Sequence, residues 1–249
     1  MNMLKMASAL LVASALTLPA QAAVTFSGTS GSLAASVSFD ILTIGPDAGK
    51  LRVVLDNTSA ADVMVPVDVL TGVFFNVTGG VGQLSRVSAT ALGGTYQGTT
   101  LVNPAGTVVG GEWGYAAASS VTLPGANVGI SSSGLGIFGP GDVFPGGNLD
   151  GPADPNGLQY GLTSAGDIKS TGNPALLDTR LTNHSVSFLL TPVSGFSLSQ
   201  ISNVFFQYGT NLSEPHFPGG GGGNTPEPAT LALLGLALVA GTLARRKRS

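Results

Sequence analysis

Between residues 32 and 44 the chain reads SLAASVSFDILTI, and apolar and polar positions alternate. Leu33, Ala35, Val37, Phe39 and Ile41 fall on one face of an extended chain; Ser32, Ala34, Ser36, Ser38 and Asp40 fall on the other. Successive side chains of a strand point to opposite faces, so a period of two predicts a half-buried β-strand. GPDAG at 45–49 supplies turn residues, and KLRVVLDN at 50–57 resumes the alternation through Leu51, Val53 and Leu55. The two runs are predicted to form an antiparallel hairpin. Further strands are predicted over 24–30, 69–78, 84–90, 99–102, 113–118, 185–190 and 203–208, with turn residues between them at sandwich-like intervals. No stretch between 23 and 225 has a convincing 3.6-residue period. The expected fold is mostly β, a single antiparallel β-sandwich domain over 23–217.

Two runs break the alternation. Residues 6–18, MASALLVASALTL, are apolar on every side, with Lys5 before them and Pro19 after. A charged start, an apolar stretch too short for a permanent span and small residues at Ala20 and Ala22 are the parts of a secretory signal. Signal peptidase is expected to cut after Ala22, because cutting after Ala23 would put Gln21 where a small residue is preferred. Residues 1–22 are then a cleaved signal peptide and Ala23 opens the exported chain.

The second run, ATLALLGLALVAGTLA at 229–244, carries no charge. As a helix it would be roughly 24 Å long, slightly short of a hydrocarbon core of about 30 Å. Arg245, Arg246, Lys247 and Arg248 follow at once; their long side chains can snorkel to the headgroups and hold the tail on the cytoplasmic side. Apolar residues all round, without a stripe, predict a C-terminal transmembrane helix with the body on the outer face. Ahead of it, PGGGGGNT at 218–225 is expected to be a flexible Gly-rich linker. Pro226, Glu227 and Pro228 come between; the prolines keep this tripeptide out of helix and strand, where a membrane-embedded enzyme can grip it.

Composition narrows the function classes. Charged residues are 9% of the chain, Gly numbers 37 and Pro 15, which suits short strands and many turns. There is no Cys, so disulfides, Cys-zinc sites and thiol catalysis are excluded. Between 23 and 228 five basic residues face thirteen acidic ones, a formal charge of −8, and without a basic patch no nucleic-acid partner is expected.

Candidate chemistry in the body is sparse. Glu112 adjoins Trp113 and Tyr115, an acid beside aromatic rings as a sugar site uses, with binding favoured over cleavage. Asp142, Asn148, Asp150, Asp154 and Asn156 lie among glycines in a long Gly/Pro-rich excursion over 129–157. Calcium takes six to eight oxygens from such loops, although Asp and Asn are equally the ordinary residues of turns. The histidines, His184 and His216, stand in no local nucleophile or metal signature. No catalytic residue and no cofactor other than calcium is expected.

Taken together, Pro226–Glu227–Pro228, the apolar run and the terminal basic cluster resemble the PEP-CTERM sorting signal. The resemblance implies an exported protein of a Gram-negative bacterium, anchored transiently in the inner membrane. It further implies processing by an exosortase and delivery to the cell surface or an exopolysaccharide or biofilm matrix. The Leu-Pro-x-Thr-Gly motif of Gram-positive sorting is absent. Three body segments, at 55–75, 129–152 and 206–215, also resemble a group of exosortase-dependent surface proteins, which implies location and no chemistry. The expected function is a non-enzymatic surface or matrix protein. A carbohydrate-binding module centred on Trp113 and Tyr115 is the second expectation, and a secreted hydrolase the third.

Overall fold

Alternation turns into strands wherever it was clean. The structure is a computed structural model and describes residues 22–80, 82–117, 125–135, 157–167 and 174–225. In chain order the strands are β1 (Ala23–Ser30), β2 (Leu33–Ile41), β3 (Leu51–Asn57), β4 (Leu70–Val77) and β5 (Leu84–Ala91). Then come β6 (Thr95–Gln97), β7 (Thr100–Asn103), β8 (Gly114–Ala117), β9 (Val128–Ser131) and β10 (Leu162–Thr163). The last are β11 (Arg180–Asn183), β12 (Ser185–Pro192), β13 (Ile201–Tyr208), β14 (His216–Pro218) and β15 (Gly220–Thr225). A single helical turn, Pro174–Leu177, precedes β11.

The strands build two sheets. One runs β15-β1-β2-β3-β12-β5 and is antiparallel throughout. The other runs β14-β13-β4-β10-β11-β6-β7, with β9 lying between β4 and β8. Its β10–β11 pair is parallel. The predicted hairpin forms: β2 and β3 pair with Val37 opposite Leu55 and Phe39 opposite Val53. Gly45 and Gly49 take positive φ in its turn, and Gly49 N–H donates to the Leu42 carbonyl at 2.7 Å.

Inward residues of both sheets form one core. Val37, Phe39, Val53 and Leu55 of the first sheet are fully buried, as are Val73, Phe75, Ile130 and Phe206 of the second. The rings of Phe39 and Phe75 meet edge to face, 5.1 Å apart, across the gap between the sheets. The hydrophobic effect is satisfied by this shared interior, while the low-charge exterior is carried by Ser and Thr. Asp40, expected on the polar face, is only 8% exposed. Its register partner Arg52 donates to its carboxylate at 2.7 Å, which compensates the buried charge.

One expectation changes. The linker over 218–225 is not a free tether: Gly220–Thr225 is an edge strand, with Ala23 opposite Thr225 and Val24 opposite Asn224. A ladder needs only N–H and C=O, so a run without side chains can still pair. Among the described residues no helix is long and apolar enough to cross a membrane. The run at 229–244, expected to do so, lies outside the described residues, as does the signal peptide up to residue 21.

Candidate functional site

Residues 201–225 lead up to the tail. β13 sits against β4 in the second sheet and ends at Tyr208, whose hydroxyl reaches across to donate to the Ala34 carbonyl of β2 at 2.9 Å. The loop that follows folds around one carboxamide. Gln207 is fully buried, and its Nε2 donates to the carbonyls of Tyr208 at 2.7 Å and Asn211 at 3.0 Å. The Glu214 carboxylate takes the N–H groups of Thr210 and Asn211, and Thr71 Oγ1 donates to the Gly209 carbonyl at 2.6 Å. Gly209 lies at φ 72, and a Cβ there would strike the Glu214 carboxylate.

From this loop the chain turns onto the open side of both sheets. β14 pairs with β13, and Phe217 stacks on Tyr208 with ring centres 5.6 Å apart. Gly28 of β1 has no room for a side chain because the Pro218 carbonyl and the Phe217 ring fill the space. At Gly219 the chain crosses from one sheet to the other. Its N–H donates to the Val204 carbonyl at 2.8 Å, and a Cβ would lie 3.0 Å from the Phe206 ring and 3.2 Å from Phe26. β15 then pairs with β1, and Gly221 and Gly222 take φ of 117 and 86, values that only glycine adopts without strain. The strand ends at Thr225, opposite Ala23 and directly before Pro226. The two chain ends thus leave the body side by side. A cleft of about 410 Å³ opens next to this seam between Val24, Phe26, Leu198, Ile201, Gly221 and Gly222.

Of the expected site residues, Ala22 is half-buried just before β1 and Ala23 is the first residue of that strand. Ala20 lies outside the described residues. So do Pro226, Glu227, Pro228, Arg245, Arg246, Lys247 and Arg248, and all five proposed calcium ligands, Asp142, Asn148, Asp150, Asp154 and Asn156. Among the described residues no group of three or more His, Asp or Glu side chains stands ready for a metal ion.

The sugar platform is corrected. Trp113 is fully buried, with its ring 4.9 Å from Phe188 of β12. Tyr115 is 7% exposed and donates its hydroxyl to the Leu84 carbonyl at 3.0 Å; burial pushes its phenol pKa up. Glu112 is half-buried in the short turn before them. The period-two pattern puts Trp113 and Tyr115 on one face, and that face turns inward, so neither ring can stack on a sugar. Among the described residues no aromatic side chain is exposed. The histidines are used structurally. His184, at φ 66, joins β11 to β12 with Nδ1 3.1 Å from the Asn57 carbonyl and Nε2 3.8 Å from Asp56. His216 lies on β14 with Nδ1 3.1 Å from the Glu214 carbonyl.

Sequence reasoning missed a set of carboxamides, buried at Asn57 and half-buried at Asn127 and Asn183, that tie strands and loops together through backbone groups. Asn57 donates to the Leu162 carbonyl at 3.0 Å and so ties β3 to β10 of the other sheet. Asn183 donates to the carbonyls of Ser164 at 3.1 Å and Asp167 at 2.6 Å, clasping the loop after β10. Asn127 pairs both ways with the Val77 backbone, at 2.8 and 2.9 Å, and mimics one more strand residue beside β4. For Asn57 and Asn183 the available signal was position: each is an amide at the end of a strand and beside a Thr.

The last strand of a two-sheet β body runs straight into Pro-Glu-Pro, an apolar run and a basic cluster. A family model described as the PEP-CTERM protein-sorting motif matches residues 224–248. The chain carries this motif, and with it the mark of an exported protein directed to an exosortase. No curated protein and no solved structure matches the chain.

Proposed function

We propose that this is an exported surface or matrix protein whose body is non-enzymatic cargo, sorted and processed through its tail. The observation that carries the reading is the PEP-CTERM motif over residues 224–248, set at the end of the last strand. In this reading the signal peptide starts export. Residues 229–244 hold the chain transiently in the inner membrane, with Arg245–Arg248 on the cytoplasmic side. The exosortase then recognises Pro226, Glu227 and Pro228, and the body passes to the cell surface or the exopolysaccharide matrix. Support for a non-enzymatic body comes from its interior: the rings of Trp113 and Tyr115 pack into the core, and both histidine rings lie against backbone carbonyls. Calcium remains the proposed ligand of the loop oxygens between 142 and 156.

The experiment replaces Glu227 with Ala in the full-length chain and compares sizes in membrane and surface fractions of an exosortase-bearing host. Glu227 lies outside the apolar run, so insertion should persist. Processing should stop, because the one charged side chain of the tripeptide is gone, and a full-length membrane-bound precursor should accumulate. A Glu227→Ala chain that is shortened and released like the wild type would reduce the tripeptide to a spacer.

A further inference from the structure

β15 differs from every other strand in what holds it. Residues 220–223 are all glycine, so pairing with β1 rests on main-chain hydrogen bonds. Glycine within a strand weakens it, and β15 lies at the sheet edge, so its departure unpairs no third strand. The glycines are nonetheless not interchangeable with a generic spacer. A Cβ at Gly221 would lie 2.9 Å from the Thr25 carbonyl, and one at Gly222 would lie 3.2 Å from the Phe26 ring. A free tether would accept Ser or Ala at these positions; the docked strand does not.

Docking also limits the tripeptide. With Thr225 held opposite Ala23, only residues 226–228 separate the sheet from the apolar run that starts at 229. Three residues reach at most about 10 Å. Enzymes that act on a peptide chain take it extended, often by adding it to a strand edge, and so need free backbone on both sides of the bond. Upstream of Pro226 that backbone is paired to β1. Released back to Gly219, the same chain gains six more residues, or about 20 Å of reach.

We propose that Gly220–Thr225 serves two partners in turn: β1 in the folded body, and then the substrate cleft of the membrane enzyme that processes the tail, which receives it as an extended strand. The inference rests on the sorting function proposed above. It explains why four of the six residues in the strand next to the tripeptide are glycines that pair by backbone alone: the strand is ordered enough to close the sheet and weak enough to be handed over.

The chain has no native cysteine, so a disulfide can test this cleanly. Thr25 and Gly223 are register partners. Full-length chain carrying Thr25→Cys with Gly223→Cys is expressed in an exosortase-bearing host, beside the wild type and Thr25→Cys alone. Mass analysis follows the bond, and size on membrane and surface fractions follows processing. The bonded form should stay full length in the membrane fraction, and a reductant should restore shortening to the wild-type form; Thr25→Cys alone should be shortened normally. Shortening of the bonded form at the wild-type rate overturns the hand-over. A pair that stays reduced after export overturns it as well, because the two residues are then not held together. If the wild type itself is never shortened, the sorting function fails first and the hand-over falls with it.

Discussion

Trp113 shows how one side chain separates two functions. On the surface beside Glu112 it would be a sugar platform; buried against Phe188 it is core. Truncating a large buried aromatic costs about 3–5 kcal/mol. Trp113→Ala should therefore lower the stability of the body by that order in urea denaturation. An unchanged midpoint together with lost polysaccharide binding would return Trp113 to the surface. Tyr115 and Tyr208 make a second prediction at this scale. Burial raises both phenol pKa values above the ordinary value of about 10. Above pH 10 the unfolded chain therefore loses its phenol protons before the folded one does. Their contribution is complete below pH 10 and is lost as pH rises past it, by up to about 1.4 kcal/mol per pH unit for each tyrosine. Urea midpoints measured from pH 8 to pH 11 should be flat and then fall, with a shallower fall in Tyr115→Phe.

At the scale of elements, β15 and the crossing before it carry the sharpest claim. Gly219 passes between Phe206 and Phe26 with no space for a side chain. Overpacking a tight site costs typically about 1–3 kcal/mol. Gly219→Val should lower the melting temperature of a body spanning 23–225; an untethered linker at this position predicts no change. The predicted strands at 24–30, 32–44, 50–57, 69–78, 84–90, 185–190 and 203–208 all have structural counterparts because each had enough apolar residues to show its period. β6, β9, β10, β11, β14 and β15 escaped notice for a physical reason. They have two to six residues and take their pairing from neighbours, and β15 has no apolar side chain to show a period. The acid–aromatic cluster was legible as chemistry, but alternation does not say which face of a strand meets the core.

For the whole molecule, the closing of the two sheets is the feature with consequences. β14 completes the edge of one sheet and β15 the edge of the other, and the chain crosses between them in a single residue. A body ending at residue 217 loses β15 and leaves the β1 edge open. Exposed edges pair with other chains. The 23–217 body should therefore melt lower than the 23–225 body and show more dimer by size-exclusion chromatography. Equal melting and equal monomer content would mean that β15 adds nothing to the closed form.

The sequence by itself determined the address and the material of this protein. The tripeptide, the apolar run and the basic cluster are contiguous, and a linear signal is read as a line, so the motif at 224–248 needs no fold to be recognised. The mostly β body followed from local alternation, because the period of side chains along a strand is a property of the backbone alone. Tertiary structure alone decided which face turns inward, and so moved Trp113 and Tyr115 from candidate sugar contacts to core. It alone brought Asn57 to Leu162, 105 residues away along the chain. It also made a strand of four consecutive glycines with Asn224 and Thr225, since glycine carries no pattern of its own and takes its conformation from the edge it meets, here the strand that begins at Ala23.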